Sequence, residues 1–262
     1  METIEYEIHD QRATITITNP ELRNALTLDT ATAISDALAQ IEDSNARCVV
    51  LQGSSGTFCA GGDIELMMEG LTSERDTAEL MEEAAYPINR TVQRVYECPL
   101  PTIAKVDGAA FGAGASLAIA CDVVLASEQA TMSFGFRRVG LSVDSGTSYL
   151  LPRIVGESTA KDLVYSGDLL DAAEAAELGL FNRVYPTDTF DEKANQYVEN
   201  VTTGPTVGLK HSKQLLQRGL DRSFEEVIDA EVDAIETAFQ TDDFAEGVES
   251  FLDESTPTFE GE

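Results

Sequence analysis

Apolar and polar residues alternate through Thr3–Ile8 and again through Ala13–Thr18, with Asp10-Gln11 between the two runs. Period-two patterning on either side of a short polar turn predicts a β-hairpin. Asn19-Pro20 then ends the second strand. From Leu28 to Ile41 the apolar positions switch to helical spacing, with Asp29 near the start of the predicted helix. Cys48-Val49-Val50-Leu51, closed by Gly53, reads as a short buried strand. Residues 74–97 predict a long, charged helix, stopped by Cys98-Pro99-Leu100-Pro101, where proline forbids continuation. Thr102–Val106 is the next strand, and Asp107-Gly108 turns into a Gly/Ala run that opens a helix. Val123-Val124-Leu125 is a third buried strand. Buried strands alternating with helices predict an α/β architecture with parallel pairing. Past about residue 187 the strand signals stop, and 188–202, 206–217, 223–239 and 242–253 all read as helices. A break around Thr202-Thr203-Gly204-Pro205 separates a core, residues 1–200, from a C-terminal helical region, residues 201–262.

Charge alters this ordinary picture. The chain has 47 acidic against 17 basic residues, a net charge of −30, and lysine is scarce. Such a surface repels nucleic acid and anionic lipid, so neither is expected as a partner. Self-repulsion of this size destabilises a compact chain at ordinary salt. Near 1 M salt, where the Debye length is about 3 Å, it is largely screened. A halophilic, high-salt cytoplasm is the expected setting; the alternative is an acidic mesophilic protein. The start, METIEYEIHD, is too polar for a secretory signal. No apolar run approaches the roughly 20 residues a membrane helix requires.

The four cysteines, Cys48, Cys59, Cys98 and Cys121, form no CxxC pair, and the only histidines are His9 and His211. That spacing argues against a zinc site, a disulfide scaffold and a histidine-dependent triad, so no metal ligands are expected. Two other segments can carry chemistry. In Phe58-Cys59-Ala60-Gly61-Gly62-Asp63-Ile64, consecutive small residues let a ligand approach backbone amides, and Asp63 can cap the helix that follows. In Asp107-Gly108-Ala109-Ala110-Phe111-Gly112-Ala113-Gly114-Ala115-Ser116 a strand gives way to a helix whose free N–H groups point outward, a place to stabilise an anion. Tight packing of helix on sheet would explain either segment alone.

Taken together, the AGGD segment after Val49-Val50-Leu51-Gln52-Gly53 and the P-T-I-A-K-V-D-G run beginning at Pro101 resemble the crotonase (enoyl-CoA hydratase/isomerase) superfamily. So do Asn19-Pro20-Glu21-Leu22-Arg23-Asn24-Ala25-Leu26, Ala120-Cys121-Asp122, Leu151-Pro152-Arg153 and the helix from Glu246-Gly247 to Phe251. The resemblance covers nearly the whole chain. It implies a spiral core of ββα units with a C-terminal helical region. The implied substrate is an acyl-CoA thioester, with no cofactor beyond the CoA moiety that the substrate carries. The implied assembly is a homotrimer, or a hexamer built as a dimer of trimers. The positions matching the two amides that hold the thioester oxygen are Gly62 and Ala113. Ala60 and Ile64 match positions flanking the adenine, Arg23 matches a basic position near the CoA phosphates, and Ala25 lies in the same CoA-binding run.

The departures from the family pattern concern proton transfer. Where hydratases of the family hold water between two glutamates, this chain has Ser116 and Phe136. Phenylalanine moves no proton, and serine without a partner is a poor base. Asp144, in Gly140-Leu141-Ser142-Val143-Asp144-Ser145-Gly146, falls where certain isomerases carry a catalytic aspartate, and the surrounding run resembles the ring 1,2-epoxyphenylacetyl-CoA isomerases. Its bland reading is the N-cap of the next helix. An apolar wall including Phe136 and Val143 would raise its pKa. The leading expectation is an acyl-CoA isomerase with Asp144 as acid and base. The alternatives are a hydratase with acid and base from other positions, a ring-closing naphthoyl-CoA synthase, and a non-catalytic scaffold binding CoA or RNA, of which the net charge disfavours RNA.

Overall fold

The computed structural model describes residues 3–72 and 76–262. The hairpin is present as β1 (Ile4–His9) and β2 (Arg12–Ile17), paired antiparallel. Asp10 and Gln11 both have positive φ, 48° and 59°, the left-handed pair that a tight two-residue hairpin turn requires. β1 turns its polar residues to solvent, while Ala13, Ile15 and Ile17 of β2 are buried.

Helix α1 (Leu28–Glu42) follows, capped by the Thr27 side chain on Thr30 N; Asp29 lies inside its first turn. Three passages of one repeating unit come next, each a strand of a large sheet, a tight turn, a strand of a small sheet and a helical segment. The first is β3 (Cys48–Gly53), β4 (Thr57–Cys59) and α2 (Ile64–Thr72). The second is β5 (Thr102–Val106), β6 (Ala109–Phe111) and α5 (Ala113–Ala120). The third is β7 (Val123–Ser127), β8 (Thr131–Ser133) and, after a 3-10 turn at Phe136–Val139, α6 (Thr147–Val155). Between the first two passages lie α3 (Thr77–Leu80) and α4 (Tyr86–Glu97), joined without a break by a π-helical turn at Met81–Ala85. The expected helix over 74–97 is thus present from Thr77 onward; Glu74 and Arg75 lie outside the described residues.

β9 (Arg183–Tyr185), reached through α7 (Glu157–Ser166) and α8 (Ala172–Glu177), completes the large sheet, whose order is β1-β2-β3-β5-β7-β9. All its pairs after the hairpin are parallel, and the small sheet, β4-β6-β8, is parallel throughout. Thr57, Ala109 and Thr131 pair in sequence across the small sheet. Its three-residue strands are the feature that periodicity did not predict. The helix expected directly after Asp107-Gly108 is displaced, because β6 comes first and the helix begins at Ala113. Gly108, at φ +97°, makes the stacking possible: a Cβ there would stand 2.0 Å from the Gly56 carbonyl oxygen.

The C-terminal quarter is helical, as α9 (Phe190–Thr202), α10 (Thr206–Gly219), α11 (Phe224–Ala238) and α12 (Asp242–Leu252). Polar ties join it to the spiral. Lys213 of α10 forms an ion pair with Asp122 at 2.8 Å. The buried Arg47 guanidinium donates to Thr206 Oγ1, Gly204 O and Phe259 O. No helix among the described residues is long and apolar enough to cross a membrane.

Candidate active site

The two Gly/Ala segments leave the small sheet side by side, because β4 and β6 are parallel neighbours. Their contact is close. A Cβ on Gly114 would stand 2.1 Å from Cys59 O, and one on Gly61 would stand 3.3 Å from Phe111 O. Only a residue without a side chain lets the first turn of α5 lie directly on the end of β4. Ala113 is the first residue of α5, after Gly112 at φ 50°. The first backbone hydrogen bond into that helix is Ser116 N to Gly112 O, so the Ala113 amide is one of the donors a helix start leaves open. Gly62 bridges to Leu26 in parallel register, with Leu26 N donating to Gly61 O at 2.8 Å. The site therefore offers two backbone amides at the mouth of adjacent loops, reinforced by a helix dipole.

Asp63 caps α2 as expected, its Oδ1 accepting from Glu65 N at 2.8 Å and Leu66 N at 3.3 Å. The candidate CoA positions share one rim. Arg23 is exposed, and its carbonyl accepts from Ala60 N at 3.1 Å. Ile64 is 72% exposed at the start of α2, while Ala25 is buried beneath the rim.

Asn24 holds this rim together, a role its place in the Asn19–Leu26 run did not reveal. It is wholly buried with φ 56°; its Nδ2 donates to Ser54 O at 2.9 Å and Thr57 O at 2.7 Å, and its Oδ1 accepts from Asn19 N at 3.1 Å. Asparagine tolerates left-handed backbone, and here it bonds three part-buried backbone groups, of which alanine would leave Asn19 N and Thr57 O without this partner. Asn24→Ala is expected to destabilise the fold by about 2–4 kcal/mol, read as a lowered urea midpoint.

Cys59 ends β4 beside these loops, and burial pushes its thiol up to about 11. A thiolate nucleophile is thus absent there at neutral pH. All four cysteines are buried and free. His9 pairs with Asp10 on the exposed hairpin. Among the described residues no group of three or more His, Cys, Asp or Glu is placed to hold a metal ion.

Asp144 is not a helix cap: the N-cap position of α6 is Gly146, in left-handed conformation and without a side-chain bond. Its carboxyl group is open to solvent yet surrounded closely enough that burial raises its pKa above the usual aspartate value. Its carbonyl accepts from Thr147 N at 2.9 Å and Thr147 Oγ1 at 2.7 Å. Ser116 Oγ lies 2.5 Å from Thr147 Oγ1 and, with the Thr147 proton given to Asp144 O, donates to it; Gly112 O, at 3.2 Å, is the alternative acceptor for the same Ser116 proton. The Asp144 loop is thereby tied to Ser116 in the first turn of α5. Ser116 is fully buried with its hydroxyl engaged in these bonds, so it is an anchor rather than a proton carrier. Phe136 is buried, its ring 3.9 Å from where a Cβ on Gly112 would stand. Val143 is half-buried against the core.

Beyond this loop a cavity of about 790 Å³ opens between α4 and α6, walled by Met81, Tyr86, Asn89, Tyr96, Gly146 and Leu150 among others. Neither Gly62 nor Ala113 lines it; Gly146 and Asn89 are its link to the Asp144 loop.

Comparison with known proteins agrees with this architecture. Residues 7–262 match the family model described as enoyl-CoA hydratase/isomerase. A Rhodobacter capsulatus protein named "Probable enoyl-CoA hydratase" is 35% identical over 260 residues, covering 99% of this chain and 98% of its own. The 1,2-epoxyphenylacetyl-CoA isomerase of Escherichia coli is 32% identical over 262 residues, covering 100% and 99%. Among solved structures, an enoyl-CoA hydratase/isomerase from Cupriavidus metallidurans superposes with a TM-score of 0.91 at 30% identity, over 100% of this chain and 97% of that one. The chain belongs to the enoyl-CoA hydratase/isomerase family, within the crotonase superfamily, and has its α/β fold with two sheets and C-terminal helices. It is an acyl-CoA enzyme of that family.

Proposed function

We propose that the protein is an acyl-CoA isomerase that works through a thioester enolate. The observation that carries this reading is a carboxyl group of raised pKa, on a loop bonded through Thr147 and Ser116 to the start of α5, where the two-glutamate pattern is replaced by Ser116 and Phe136. The thioester oxygen sits between the amides of Gly62 and Ala113. As Asp144 removes an activated proton, negative charge gathers on that oxygen, and fixed donors stabilise it most in the transition state. The protonated Asp144 returns the proton to another carbon, moving the double bond from the 3- to the 2-position. The CoA moiety lies along the rim of Arg23, Ala60 and Ile64, with Ala25 beneath it. Conversion of 3-hexenoyl-CoA to its conjugated isomer, followed by enoyl-thioester absorbance, tests the reading.

Hydration is the second reading, supported by the hydratases among the relatives at comparable identity. Loss of the enoyl-thioester band with crotonyl-CoA would favour it.

The active form in this reading is a homotrimer or a dimer of trimers assembled through residues 201–262. Supporting it, the C-terminal helices leave Leu216, Leu220, Phe224, Val232 and Phe251 exposed in the single chain. The working environment is a high-salt cytoplasm. With a net charge of −30, the thermal midpoint is expected to rise steeply with KCl toward molar concentrations. A midpoint that stays flat or falls would contradict this.

A further inference from the structure

We infer that Asn89 is a positioning residue for Asp144, acting through the peptide that joins Asp144 to Ser145; the inference rests on the isomerase reading above. That peptide is gripped on both edges. Its carbonyl accepts two hydrogen bonds from Thr147, and its N–H, Ser145 N, donates to Asn89 Oδ1 at 2.5 Å. The other end of the Asn89 amide donates to Ala85 O at 2.7 Å. With an N–H at one end and a carbonyl at the other, only one orientation of the amide satisfies both.

The grip is needed because Ser145 is 1% exposed with φ 50°, a left-handed conformation uncommon outside glycine, asparagine and aspartate. A strained residue next to a reacting group persists only when its surroundings over-determine it. Here the anchors come from two directions, Ser116–Thr147 from α5 and Asn89 from α4.

Helix geometry explains why Asn89 can serve. The turn before it, Met81–Ala85, is π-helical, and Pro87 follows with no N–H to give to the turn before. A π turn holds one residue more than an α turn, so everything after it is rotated by about 100° relative to an uninterrupted helix. That rotation sets which residue of α4 faces the Asp144 loop. Asn89 also lines the cavity beyond the loop, so one side chain joins the cavity wall to the backbone of the base.

The test compares Asn89→Leu, which keeps bulk but removes both hydrogen bonds, with Asn89→Asp, which keeps the acceptor for Ser145 N–H. Both are assayed beside Asp144→Asn with 3-hexenoyl-CoA in high KCl, well above carboxylate pKa values. Asn89→Leu is expected to lower kcat by about 30–100-fold with KM changed less than about twofold, the signature of a misplaced reacting group. Asn89→Asp is expected to recover most of that loss. Should the leucine variant fail to fold, Asn89→Ser, too short to reach the loop, takes its place. Wild-type kcat in Asn89→Leu, a loss confined to KM, or an Asp variant no better than Leu overturns the inference. If Asp144→Asn loses turnover while Asn89→Leu does not, only the Asn89 role fails. If Asp144→Asn retains full turnover, the isomerase reading fails and the inference with it.

Discussion

Asp144→Asn is expected to lower isomerase turnover by about 10²–10⁴-fold while leaving acyl-CoA binding nearly intact. The amide is close in size, so the Asp144 carbonyl and its bonds to Thr147 survive the change. What disappears is the only group assigned to proton transfer, since the Ser116 hydroxyl is committed to Gly112 and Thr147, and Phe136 has no proton to exchange. Burial raises the Asp144 pKa, and the base must be ionised to begin the reaction. The rate kcat/KM should therefore fall on acidification through a pH above the ordinary aspartate range. Full turnover in the variant, or an acid limb at or below that range, would contradict the assignment.

Ala113→Pro is expected to cost about 10²–10³-fold in kcat with the fold retained. Proline is welcome at the first position of a helix, where its missing N–H would have had no intrahelical acceptor. Ala113 occupies that position in α5, and the helix ladder starts only with Ser116 N on Gly112 O. The substitution thus deletes one proposed oxyanion donor, and the pyrrolidine ring takes up the space in front of it. Wild-type turnover in a properly folded variant would show that the thioester oxygen is not held by the α5 start. Circular dichroism and a thermal scan establish the fold alongside the kinetics.

Five strands of the large sheet were legible in advance because they carry a clear signal, whereas β9, three residues long, was not. β2 alternates around buried Ala13, Ile15 and Ile17, β3 opens with four consecutive buried apolar residues, and β5 carries Ile103, Ala104 and Val106. The small sheet was not, because three residues cannot display a period, and Ala109-Ala110-Phe111 reads equally well as the opening of a helix. The close approach of the α5 start to Cys59 was foreshadowed by the runs of small residues that contain Gly62 and Ala113. Asp144 stood out only by resemblance; nothing in local spacing distinguishes it from a helix cap, and the bonds at its carbonyl both come from Thr147. Asn89 was invisible for a related reason. It sits within an amphipathic helix, and its significance lies in one N–H on a loop 56 residues away.

The central claim is a proton removed and returned by Asp144 while the Gly62 and Ala113 amides hold the enolate oxygen. Turnover of 3-hexenoyl-CoA in D2O, with the product weighed by mass spectrometry, tests it most directly. The account predicts a conjugated enoyl-CoA that has gained no water; the proton exchanges with solvent while it is held on the exposed Asp144, so deuterium enters at carbon in the wild type and not in Asp144→Asn. A product heavier by one water, or deuterium entering equally well in the variant, would contradict it.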